Sequence, residues 1–215
     1  MNFLFGKGNN TTNNTKIIPN CNRLVLCDSD SFPLKQMKTV SEINNQSWIP
    51  NHKFCEAISF SQGGPWAIAV GCNPAKGSKN YFDETNKRVA QYISGTGNYG
   101  GYYLFNLYTV MTSSIKLLKR YNRKNTDSIN DFQNDLAQIL LNCKNDVFIF
   151  WGPDAKALLN PSTSQSVRAL FKKRKRLHIE MFFSVDSNNS FIHPCKDDFQ
   201  MFLQITNEKQ LDSII

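Results

Sequence analysis

WAIAVGCNPA, residues 66–75, runs from a continuous apolar stretch straight into an Asn-Pro turn. No polar side chain interrupts Trp66 to Gly71. A strand of that kind is buried on both faces, as in a parallel sheet covered by helices. Pro74 then holds Asn73 in an extended conformation and ends the strand. An Asn-Pro pair is ordinarily a turn, with the amide closing on its own backbone. The same pinned amide at a strand end is also a rigid place to hold a water.

The rhythm continues downstream. DETNKRVAQYIS (83–94) reads as a helix with Asp83 as its N-cap. GYYLFNL (101–107) is strand-like. SINDFQNDLAQILLNC (128–143) places Phe132, Leu136, Ile139, Leu140 and Cys143 at helical spacing. DVFIFWG (146–152) is another buried strand, STSQSVRALFKKRKR (162–176) a basic helix capped by Ser162, and LHIEMFFS (177–184) the next strand. DDFQMFLQITN (197–207) reads as a last helix. Strands alternating with helices predict an α/β class: three α/β/α layers around a central, mainly parallel sheet of four to five strands. Upstream, RLVLCD (23–28) reads as an edge strand and GGP (63–65) as a break. The low-complexity NNTTNNT (9–15) makes residues 1–20 a flexible arm, with 21–215 as one domain.

Composition narrows the function classes. The 215 residues are 40% hydrophobic with 16 Phe, enough for one sizeable core. No apolar run is long enough to span a bilayer, and MNFLFGKGNNTTNNTK (1–16) lacks a signal-peptide pattern, so a cytoplasmic protein without a membrane partner is expected; a monomer is expected as well. None of the six cysteines forms a CxxC pair, so no metal site is expected. The net charge of +8 favours an anionic partner. The charge is clustered: KLLKRYNRK (116–124) and RALFKKRKR (168–176) hold eleven of the 25 basic residues and no acid. A single such run is often only a solvated helix face. Two acid-free runs in one domain point to phosphate, and DNA is the expected partner.

In parallel sheets ligands bind beyond the carboxyl ends of the strands. Asn73-Pro74, Asn106, the Trp151-Gly152 pair and His193-Pro194 all fall at or after strand ends, and they should share one rim. These motifs resemble the uracil-DNA glycosylase superfamily over roughly residues 66–200. GCNPA (71–75) is similar to its first motif in the Gly-x-Asn-Pro-Gly form of the mismatch-specific branch. LFNLYTVMTSS (104–114) resembles the strand whose Asn reads the flipped base. VFIFWGPDAKAL (147–158) resembles the strand ending in Trp-Gly, and HPC (193–195) the His-Pro-Ser motif. The continuation CKDDF (195–199) departs from that motif's Ser-Pro-Leu-Ser. The chain resembles more closely a bacterial and phage domain family of unknown function with Asn-Pro, Asp-x-Thr, Trp-Gly and His-Pro signatures, here with Asp83 and Thr85 in place.

The resemblance implies a DNA glycosylase that flips and excises uracil or a 5-modified pyrimidine, including modified phage cytosine. His193 would donate to pyrimidine O2, where charge develops as the base leaves, and Asn73 would orient a water below the sugar. Asn106 carries a donor and an acceptor that match a base edge. Tyr81 or Phe82 would stack on the base, although aromatics more often fill cores. Ala75, where the uracil-specific branch has Tyr, would leave the pyrimidine 5-position open. Tyr99, in GTGNYGG (95–101), is a candidate wedge, read as exposed among glycines. Lys119, Arg120, Arg123, Lys172, Lys173, Arg174, Lys175, Arg176 and Lys196 would meet DNA phosphates. No cofactor is required. Other readings are a non-catalytic nucleic-acid-binding module on the same fold, a nucleotide or nucleoside hydrolase, and, remotely, a cysteine hydrolase using Cys195 beside His193.

Overall fold

The computed structural model describes residues 21–26, 38–39, 55–60, 63–74, 83–108, 118–120 and 126–215, with backbone alone at 21–26, 38–39 and 126–132. Strands β1 (Cys21–Leu26), β2 (Lys38–Thr39), β3 (Cys55–Phe60), β4 (Trp66–Gly71), β5 (Gly101–Asn106), β6 (Val147–Ile149), β7 (Met181–Val185) and β8 (Met201–Gln204) form one sheet. Their order is β2-β1-β3-β5-β4-β6-β7-β8. Helices α1 (Glu84–Gly95), α2 (Thr126–Asn142), α3 (Pro153–Lys156), α4 (Pro161–Leu177) and α5 (Glu208–Ile214) connect or follow the strands. Among the described residues no helix is long and apolar enough to cross a membrane.

The α/β class is as the alternation of patterns required. The centre of the sheet, β5-β4-β6-β7, is parallel throughout. Among the described residues the sheet is larger than expected, with eight strands rather than four to five. The added strands β1, β2, β3 and β8 are all antiparallel. The segment read as an edge strand, β1, lies inside β2.

Each central strand sorts its residues between two cores, because successive side chains point to opposite faces. Ala67, Ala69, Tyr102, Leu104, Phe148 and Phe150 meet Val89, Ala90 and Ile93 of α1. Ile68, Val70, Phe105, Val147 and Ile149 meet Leu136 and Leu140 of α2, Val167, Leu170 and Phe171 of α4, and Leu211 and Ile214 of α5. The result is three layers. Each fully buried Val, Ile or Leu stabilises them by about 1.5–3 kcal/mol.

Helix ends follow local chemistry. Asp83 caps α1, its Oδ1 accepting from the Asn86 backbone at 3.1 Å and its Oδ2 from the Asn86 amide at 2.7 Å. The α4 cap is Asn160 rather than Ser162: its side chain accepts from the Thr163 backbone at 2.8 Å, and Pro161 takes the first helical position, where no N–H is needed. The expected last helix over 197–207 is β8 instead, followed by α5 with an Asn207–Gln210 capping box. Pairing with β7 (Ser184↔Phe202, Val185↔Met201) overrides the local helical pattern there.

Candidate active site

The topology fixes where a ligand would sit. From β4 the chain crosses through α1 to β5 on one side, then returns through α2 to β6 on the other. The β4/β6 junction is therefore the switch point, and the crevice beyond its carboxyl end is the expected ligand site. Gly71, Cys72 and Asn73 leave β4 there, and Phe150, Trp151 and Gly152 leave β6.

Register aligns the rim. Gly71 pairs with Asn106 across β4/β5, and the Phe150 N–H donates to the Val70 carbonyl at 2.9 Å. The β4/β5 ladder runs on beyond the strands, with Leu107 N–H on Gly71 O and Tyr108 N–H on Cys72 O, each at 3.0 Å. At Gly71 the neighbours close in. A methyl there would lie 2.7 Å from Asn106 Oδ1 and 2.8 Å from Phe150 Cε2. The absent side chain thus brings the Asn106 amide and the Phe150 ring together. The Phe150 ring meets the His193 ring edge-on with centroids 6.5 Å apart. Gly152, at φ +78°, completes the contact, since a methyl there would lie 3.0 Å from His193 Cβ. Asn106, Gly71, Phe150, Gly152 and His193 form a continuous wall on the α1 side of the rim.

The polar groups on this wall have distinct states. Asn106 is 5% exposed, and among the described residues its amide makes no side-chain hydrogen bond. Its donor and its acceptor are thus open to a ligand edge that bears an acceptor and a donor. His193 accepts a hydrogen bond from the Cys195 N–H on Nδ1 at 3.3 Å. That acceptor role leaves the proton of the neutral ring on Nε2. Burial, and then the nearby Lys196 charge, lower its pKa from 6.5 to about 4, against a smaller upward pull from Asp154. At neutral pH His193 is a neutral Nε2–H donor. Asn73 is half-buried, with Nδ2 donating to the Pro74 carbonyl at 3.4 Å. The turn therefore holds its amide in one orientation.

A clamp fixes the His193 loop. Arg88 of α1 donates through Nη1 to the Pro194 carbonyl at 3.0 Å and the Lys196 carbonyl at 2.5 Å, while its Nε pairs with Glu84 at 2.8 Å. Arg88 and Phe150 escaped the sequence reading. Arg88 lies mid-helix in an ordinary i, i+4 pair with Glu84, and Phe150 reads as one more apolar strand residue.

Several expected roles change. Trp151 points away from the rim, buried, with Nε1 donating to the Ile214 carbonyl at 2.9 Å. Tyr99 is no wedge: it is 6% exposed, and its hydroxyl donates to Asp146 Oδ2 at 2.7 Å beside the amino end of β6. The segment after His193-Pro194 is tied to α1, with Asp197 3.9 Å from Arg88. Burial raises the Cys195 thiol, the opposite of what a cysteine nucleophile needs. The buried Cys72 thiol is pushed up to about 12, by burial first and then the Asp154 charge. Ala75, Tyr81, Phe82 and Arg123 lie outside the described residues.

The basic residues divide between two ends of the sheet. Lys119 and Arg120 are exposed on the connection from the carboxyl end of β5 to α2, and exposed Lys196 follows His193. Helix α4 runs back from the rim, so Lys172 to Arg176 lie at the amino ends of the strands. Arg174 is occupied within the fold: it donates to the Phe171 carbonyl at 2.6 Å and the Thr206 carbonyl at 3.0 Å, and its guanidinium carbon lies 3.4 Å from the Phe171 ring centroid.

Fold and register together define an α/β protein in which Gly71, Asn106, Phe150, Gly152 and His193 meet at the carboxyl ends of the central strands, with Asn73 just beyond the end of β4. Residues 58–195 match the family described as "Protein of unknown function (DUF1643)", and the chain belongs to that family. The matched segment includes Asn73, Asp83, Asn106, Gly152 and His193. No curated protein and no solved structure matches.

Proposed function

We propose that the rim crevice is a base-binding active site that releases a pyrimidine from DNA by hydrolysing its N-glycosidic bond. The observation that carries this reading is the juxtaposition of Asn106 and His193 on either side of Phe150, an amide with no side-chain hydrogen bond among the described residues and an imidazole whose Nδ1 accepts and whose Nε2–H is left to donate. A pyrimidine presents adjoining acceptors and donors on its edge, and Asn106 is suited to read them in either orientation of its amide. As the C1′–N1 bond breaks, its electron pair moves onto the ring and the O2 atom. His193 donates to that oxygen as a dipole, without first having to lose or gain a proton. Asn73 positions the water that adds to C1′. Its amide is no base at neutral pH, so its contribution is orientation. The water's proton passes to solvent or to the departing base. Exposed Lys196, three residues after His193, and exposed Lys119 and Arg120, between β5 and α2, suit the flanking phosphates. The likeness of the rim motifs to uracil-DNA glycosylases supports the same assignment.

The test is a panel of end-labelled oligonucleotides treated with protein and then alkali. The panel carries uracil, thymine in mismatches, 5-hydroxymethylcytosine and its glucosylated form. Cleavage at one of these positions, abolished by both Asn73→Ala and His193→Ala, is the expected result. Salt-dependent DNA binding without cleavage anywhere on the panel would assign the chain instead to a non-catalytic binding module.

A further inference from the structure

The cationic end of α4 is too far round the molecule to serve the crevice. The helix has 17 residues and is about 25 Å long. Its carboxyl end closes on the amino edge of the parallel strands. His178, at φ 53°, ends the helix, the Ile179 N–H returns to the Arg174 carbonyl at 3.1 Å, and the Val147 N–H at the start of β6 donates to the Glu180 carbonyl at 2.9 Å. Asn73, Asn106 and His193 stand at the other edge.

The exposed arc of this helix is one-signed. Thr163, Ser166, Val167, Leu170 and Phe171 make up its buried face. Lys172, Lys173, Lys175 and Arg176 occupy the outer side and are all exposed. Among the described residues none of the four makes an ion pair, whereas Arg168, earlier on the helix, is paired with Asp212 at 2.6 Å. Cations at a helix carboxyl end gain from the dipole, but that gain is confined to the last turn and is small for exposed groups. Surfaces built only for solubility intersperse both signs. Four unpaired cations within two turns, with no acid among residues 162–179, are complementary to a regular polyanion.

We propose that Lys172, Lys173, Lys175 and Arg176 form a second nucleic-acid contact surface, separate from the crevice, that holds a phosphate backbone without reading sequence. A membrane surface fits less well. An interfacial helix buries Trp, Phe or Leu in the lipid, and the apolar side of α4 is already inside the core. The surface sits at the opposite end of the sheet from the crevice, so a short straight duplex engages one or the other. The molecule as a whole can therefore hold one stretch of nucleic acid while the crevice faces another. This assignment does not rest on base excision, and its test reads binding alone.

The test compares the full chain with a variant carrying Lys172→Gln, Lys173→Gln, Lys175→Gln and Arg176→Gln. Fluorescence anisotropy follows an unmodified duplex of 30 base pairs over a range of salt. Each phosphate contact contributes about −0.9 to the slope of log K against log salt, so the slope should become shallower by roughly 3 to 4. Affinity at 100 mM salt should fall by at least roughly tenfold. Thermal unfolding should be unchanged, because the four side chains are exposed and Arg174 is left in place. An unchanged slope and affinity in a folded variant would overturn the proposal. So would unchanged DNA binding accompanied by lost adsorption to phosphatidylserine vesicles, which would give the surface to a membrane. A Lys119→Gln, Arg120→Gln variant run alongside tests the rim separately.

Discussion

Substitution of Gly71 by Ala tests the geometry on which the crevice depends. The added methyl would lie 2.7 Å from Asn106 Oδ1, 2.8 Å from Phe150 Cε2 and 3.2 Å from Phe150 Cζ. Carbon contacts are comfortable at about 3.5–4.0 Å, so both groups must withdraw by several tenths of an ångström or more. Neither has room, since Asn106 is 5% and Phe150 2% exposed. Overpacking of this kind costs about 1–3 kcal/mol. For a chain of this size each kcal/mol lowers Tm by about 2–4 °C, so scanning calorimetry should show a fall of about 2–12 °C. Gly95→Ala is the control: nothing lies within 4 Å of that position, and a helical Ala should be neutral or stabilise by up to about 1 kcal/mol. Shrinking one neighbour in the double variant Gly71→Ala, Phe150→Leu should relieve the clash, so the paired cost falls short of the sum of the single costs by more than about 0.5 kcal/mol. A Gly71→Ala protein that melts with the wild type and keeps full base release would refute the close-packed wall.

Further outcomes follow from the same geometry. The His193 imidazole, followed by nitrogen NMR, should titrate near pH 4 and show the Nε2–H form at neutral pH. Because the folded value lies below the unfolded one, this group's contribution to stability is fully present above about pH 6.5 and drains away as pH falls towards 4. The loss is at most about 3 kcal/mol, reduced by solvent at the rim, and His193→Gln should flatten that part of the stability–pH curve. Replacing Asn106 by Leu should change stability by no more than about 1 kcal/mol while abolishing base release, as expected of an amide kept for a ligand. Arg88→Ala should lower kcat with little change in DNA affinity, with Arg88→Lys intermediate and the His193 titration shifted towards its ordinary value. Trp151→Phe should cost about 1–2 kcal/mol through its lost bond to Ile214 and leave the rim chemistry intact.

The sequence was most legible where local pattern and tertiary setting agree. WAIAVG, GYYLFN and VFI are apolar on both faces because the parallel centre is covered on both faces, so strand reading and class follow together. Asp83 was legible as a cap because its chemistry is local. The antiparallel additions were not legible: the GGP turn after CEAISF at β3 suggests a hairpin with the next strand, whereas β3 pairs with β5, a long-range partner. MFLQ was misread because four residues are too few to separate periods, and the β7 edge decides. Asn73, Asn106 and His193 could be placed on one rim from strand ends alone. The wall between them could not, since it depends on Gly71 letting an amide and a ring approach. The basic helix shows a different limit. Its charge is plain in the sequence, but its place at the opposite end of the sheet follows from the return direction of every crossover helix, which needs the strand order first.

If the crevice frees a base, the low-molecular-weight products of the reaction reveal it. Double-stranded DNA bearing the preferred pyrimidine of the panel would be incubated with wild-type protein, and the filtrate examined by mass spectrometry. The expected result is a free base in the filtrate and one abasic site left in the DNA per base released, with neither product in Asn73→Ala or His193→Ala. Release of a nucleoside or nucleotide, or base release that persists in both variants, would contradict it.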